Sequence, residues 1–224
     1  MFNLLAPPNF RGLRPDIPVT VYYRHLPHWR QEGATYFVTF RLADALPQEK
    51  LRYLQRLRGE WERTHPPPRS EEDWAAYTRG VMNQLEAWSD EGLGACWLRD
   101  PRWVEELQQR LLHFQDARYF VSCYVIMPNH CHLVMRPYAG HPLETTLQGI
   151  KSMVARAINR ARGGEGSLWQ EESYDRIIRD EEHLWRVVQY IGRNPSKAKL
   201  PREQWHRWIH PDWQAADWHF QDAS

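Results

Sequence analysis

Apolar side chains crowd into three short stretches of this chain and recur at helical spacing in five longer ones. The stretches 35–42, 118–126 and 131–136 are rich in β-branched and aromatic residues, which predicts buried strands. A shorter run at 174–179 reads as a fourth strand. Leu51, Leu54 and Leu57 predict a helix over 47–62, and Ser70 is placed to cap another over 70–89. Between them three consecutive prolines, Pro66 to Pro68, cannot continue a helix. Asp100 followed by Pro101 is a strong helix start, with Val104, Leu107, Leu111 and Leu112 on the inner face. Leu143, Leu147, Ile150, Val154 and Ile158 predict a helix over 142–160. Leu184, Val187, Val188 and Ile191 predict a last one over 180–194, which Pro195 should stop.

With 48–90 set aside as a helical insertion, the order is β-α-β-β-α-β-α. That order predicts an α+β fold: a ferredoxin-like antiparallel sheet with helices on one face, plus an added C-terminal helix. One domain over 1–224 is expected, with an irregular arm at 1–34 and a Trp-rich tail at 195–224. The fold hosts many activities, so function has to come from particular residues.

Composition excludes more than it asserts. No run approaches the ~18 uninterrupted apolar residues of a membrane span, and the first residues do not resemble a signal peptide. A soluble, cytoplasmic protein is expected. Three cysteines without CxxC spacing argue against a disulfide framework. Net charge is only +1, yet Lys151, Arg156, Arg160 and Arg162 share a window, 148–164, that holds no acidic residue. Local patches of this kind matter more than the total for contacts to an anionic polymer.

The chemistry concentrates where the strand at 131–136 begins. Side chains alternate faces along a strand, so His130 and His132 point one way and Cys131 the other. Paired imidazoles on a rigid strand are half of a metal site. On the last helix, Tyr190 and Asn194 lie one turn apart on a flank of the core stripe, together with His183 and Arg186. If that flank meets the histidines, two imidazoles, an amide oxygen and a phenol converge. His130, His132 and Asn194 would then hold a metal beside a nucleophile, Tyr190. Imidazole ligands favour Mn²⁺ over Mg²⁺. Tyr174 is the competing tyrosine, and it reads better as a strand residue.

The segment Met127-Pro-Asn-His-Cys-His-Leu-Val134 resembles the MPNHxHLL signature of the HUH-type single-tyrosine transposases. Segments 169–182 and 189–198 resemble later blocks of that family, in the same order, and the likeness is greatest to the REP-associated tyrosine transposases. The resemblance spans about 35–42 and 95–200, leaving the insertion and the tail unmatched. It places the paired histidines on His130 and His132, the catalytic tyrosine on Tyr190 and the amide ligand on Asn194. It implies Mg²⁺ or Mn²⁺, cleavage of single-stranded DNA beside a hairpin, a 5′-phosphotyrosine and a free 3′-OH. Palindromic hairpin DNA is the implied partner, and the resemblance allows a homodimer, because many relatives trade helices between sites. Two departures stand out: Cys131 replaces a bulky aliphatic, and Gly192 weakens the helix two residues after Tyr190.

A DNA-processing enzyme needs phosphate contacts. Lys151, Arg156 and Arg160 are the first candidates, with Arg176, Arg179, Arg193 and Lys197 behind them. Two other readings stay open: a domesticated hairpin-binding protein that no longer cuts, and a metallohydrolase unrelated to DNA.

Overall fold

The computed structural model describes residues 4–24 and 26–221; the ends of the expected arm (1–3) and tail (222–224) lie outside the described residues. A five-stranded antiparallel sheet organises it. Its strands are β3 (Tyr36–Arg41), β4 (Tyr119–Met127), β5 (His130–Pro137), β6 (Tyr174–Ile177) and β7 (His206–Ile209), in the spatial order β6-β3-β5-β4-β7. A two-stranded hairpin, β1 (Thr20–Tyr23) and β2 (Pro27–Arg30), stands apart from it.

Strand alternation gives the sheet two apolar faces, and each is covered. One face presents Val38, Phe40, Tyr124, Ile126, Cys131 and Leu133 to α3 (Pro101–Leu112) and α4 (Leu143–Arg162). The other presents Phe37, Val125, Met127 and Val134 to α5 (Glu181–Lys197), through Leu184, Val187, Val188 and Ile191. Helices therefore occupy both faces of the sheet, with α5 opposite α3 and α4. A register shift between Val121 and Cys123 keeps the first half of β4 in step with both layers.

Helix ends follow the capping residues. The Asp100 side chain accepts from the Arg102 N–H, Asp180 accepts from the His183 N–H, and Ser70 forms a capping box with Asp73. The last of these opens α2 (Glu71–Asp90), which follows α1 (Gln48–Thr64). The chain departs from expectation at three places. Pro195 does not stop α5, which runs to Lys197, because only the bond to the Ile191 carbonyl is lost so near the helix end. The expected irregular arm contains the β1–β2 hairpin. The tail supplies β7, the outer strand beside β4, and a short helix α6 (Pro211–Ala215) whose Trp213 is fully buried. No described helix is long and apolar enough to cross a membrane.

Candidate active site

The sheet face under α5 carries a line of polar side chains. In register, Arg41 on β3 stands opposite His130 on β5, and Thr39 opposite His132. Alternation puts all four on the face that α5 covers, and Cys131 faces the opposite core. The imidazoles stand edge to face, ring centroids 4.8 Å apart.

Each ring is held from behind. The Nδ1 of His130 lies 2.7 Å from Asn129 Oδ1, an atom that only accepts, so that nitrogen carries the proton and Nε2 is left with a lone pair. The Nδ1 of His132 lies 2.7 Å from the Thr39 hydroxyl. Both rings are 1% exposed. Burial holds both in the neutral form that a metal requires. It pushes His130 down to about 3, and His132 well below the usual range, with the neighbouring His130 and Arg41 adding to the effect.

Helix α5 closes the site from above. Tyr190 Oη lies 3.4 Å from His132 Nε2, and its ring packs edge-on against Phe37, centroids 5.8 Å apart. One turn on, Asn194 is 1% exposed and sits beside His130, yet neither its Oδ1 nor its Nδ2 has a well-formed hydrogen bond among the described residues. A buried amide without partners costs free energy, on the order of 1–3 kcal/mol, unless something ligates it. The group expected at such a site is a divalent metal. Two neutral imidazoles in contact, and beside His130 an amide without a well-formed hydrogen bond among the described residues, are donor types that fit one.

Sequence reasoning missed the third wall. The end of α2 lies over the site: the Arg41 Nε donates to Ser89 Oγ at 2.8 Å, and the Asn129 Nδ2 donates to the Ser89 and Leu93 carbonyls at 3.3 and 3.1 Å. The Lys197 ammonium pairs with Asp90 at 3.1 Å. Glu86 stands beside the Tyr190 hydroxyl. Burial first, then Glu86 and Asp90, drive the Tyr190 phenol far above its usual range, while Arg41 opposes them. Thr39 and Arg41 did leave a signal, being alternate polar residues in an apolar strand. Glu86 left none.

Of the expected phosphate-binding residues, the structure brings Arg176 and Arg179 toward Tyr190. Both line an 830 Å³ cavity with Phe37, Glu86, Tyr174 and Tyr190. Arg193 is exposed on α5 and donates to Gln221, and Lys197 holds Asp90. Lys151, Arg156 and Arg160 lie on α4, across the sheet from Tyr190. Lys151 donates to the Gln170 carbonyl and Ser173 Oγ at 2.9 and 3.3 Å, and burial pushes its amine down to about 8.

No family model matches the chain. An uncharacterized protein of Haemophilus influenzae is 24% identical over 138 residues, which is 51% of this chain and 70% of that protein. A solved REP-associated tyrosine transposase bound to a REP hairpin is 17% identical, with 81% of this chain and 75% of that one covered and a TM-score of 0.40. Likeness that slight carries neither fold nor function. The reading rests on the site.

Proposed function

We propose that this chain is a metal-dependent, HUH-type tyrosine transposase that nicks and rejoins single-stranded or hairpin DNA. The observation that carries the reading is the 3.4 Å approach of the Tyr190 hydroxyl to His132 Nε2, beside the unpartnered amide of Asn194. The antiparallel strand order β6-β3-β5-β4 supports a ferredoxin-like reading of the sheet, with α5 as the added helix.

His130, His132 and Asn194 would hold the divalent ion, Mn²⁺ or Mg²⁺, which when bound polarises a phosphoryl oxygen. Tyr190 attacks the scissile phosphorus, a P–O bond to Tyr190 forms, and the bond to the 3′ oxygen breaks. The phenol proton leaves by way of Glu86, and the departing oxygen takes up a proton to become a 3′-OH. The reverse attack by that 3′-OH rejoins strands. Arg176 and Arg179 contact phosphates of the strand where it enters the cavity beside Tyr190. Work on DNA implies a cytoplasmic location.

A labelled single-stranded hairpin from the neighbouring genome, incubated with protein and Mn²⁺, should give a covalent adduct on a denaturing gel. Tyr190→Phe should abolish it. An adduct surviving that substitution would misassign the nucleophile, and binding without an adduct would favour the domesticated hairpin binder.

A further inference from the structure

We infer that Arg41 is a catalytic residue of this site, its guanidinium gripping a non-bridging oxygen of the scissile phosphodiester. The inference rests on the function proposed above and adds a group that neither the signature segment nor the helix carrying Tyr190 contains.

Position comes first. Arg41 stands in register with His130 on the neighbouring strand, so its side chain rises from the same face, directly across from that imidazole. It is 3% exposed, which is rare for arginine without a carboxylate partner. Its one side-chain hydrogen bond among the described residues runs from Nε to the neutral Ser89 hydroxyl, at 2.8 Å, and its Nη2 is buried with no partner. Tyr190, Glu86 and Asp90 are all within its electrostatic reach, and none is bonded to it.

A buried cation so poorly satisfied is costly, and a well-packed apolar residue would serve a strand better. An arriving phosphate changes that balance. The guanidinium fork matches two phosphate oxygens, and bonds between charged partners are about twice as strong as the neutral one to Ser89 that they would replace. Preorganised donors in a water-poor site also stabilise the charge that develops as Tyr190 attacks. The Ser89 bond ties the end of α2 to Arg41, and a phosphate competing for the same guanidinium releases it.

The test compares the unaltered protein with Arg41→Ala, Arg41→Gln and Arg41→Lys, all with hairpin DNA and Mn²⁺. Adduct formation should fall at least 100-fold in the Ala and Gln variants and stay impaired in Lys, which lacks the fork. Mn²⁺ affinity and melting temperature should stay near the unaltered values in at least the Gln variant. Added guanidinium ion should restore part of the Arg41→Ala rate, a response that a purely structural role would not give. Equal rates in the Gln variant overturn the inference and leave the proposed function standing. Loss of adduct without guanidinium rescue, together with lost Mn²⁺ binding, also overturns it. No adduct from the unaltered protein overturns the proposed function, and this inference with it.

Discussion

Two ring nitrogens decide what the site can hold. Asn129 fixes the proton of His130 on Nδ1, and Thr39 anchors the same nitrogen of His132, so both Nε2 atoms are aimed forward. Such supporting contacts orient metal ligands, and losing one commonly weakens metal binding about 10–100-fold. Thr39→Val keeps the shape and removes the hydroxyl. It should cost about 1 kcal/mol of stability and lower Mn²⁺ affinity within that range, as a calorimetric titration would show. Unaltered affinity would mean that the Thr39 contact does not orient the ring. Asn194→Ala tests the other side of the site. It removes a buried amide that has no well-formed hydrogen bond among the described residues, so the metal-free protein should lose little stability, while Mn²⁺ binding weakens. A large drop in melting temperature without metal would contradict the ligand role.

At the scale of elements, the tail proves to be structure rather than appendage. A Cβ on Gly192 would come within 2.8 Å of the Phe220 ring and 3.0 Å of its Cβ, so the glycine is the seat of the tail on the helix carrying Tyr190. The sequence alone presents Gly192 as a weak spot in that helix. Replacing Gly by Ala in a helix gains about 1 kcal/mol, but overpacking a tight contact costs about 1–3 kcal/mol. Gly192→Ala should therefore lower the melting temperature, and a rise would show that the Phe220 contact gives way freely. The long elements were legible, because strand and helix periods repeat often enough to be read over 35–42, 118–136 and 142–160. Of the short ones, only β6 was. β1, β2 and β7 have four residues each, too few to show a period, and β7 owes its form to β4, a partner distant in sequence. Alternation placed His130, His132 and Cys131 on their faces, and the helical step put Tyr190 next to Asn194. Nothing local could reveal that α2 would bring Ser89, Glu86 and Asp90 over the same site, since only tertiary packing decides where an insertion lies.

At the scale of the molecule, a second charged cluster ties the hairpin to the sheet. His28 is buried between Asp175 and Glu172, each 2.7 Å away, and Arg30 joins Asp175 and Glu144. Burial alone would lower the His28 pKa, but hydrogen bonds to the two carboxylates outweigh it and raise it to about 9. A raised histidine contributes its full stability below the unfolded value, near pH 6.5, and loses it as pH climbs toward 9. Chemical denaturation should show stability declining over that window, with a smaller decline in His28→Gln. An unchanged slope in the variant would remove His28 as the cause.

The central claim is that Tyr190 carries the DNA strand during the reaction. Peptide mass spectrometry after incubation with hairpin DNA and Mn²⁺, followed by nuclease trimming, reads this directly. The account predicts a nucleotide phosphate on Tyr190 itself. A modified Tyr174, or no modified tyrosine in a protein that cuts the strand, would contradict it.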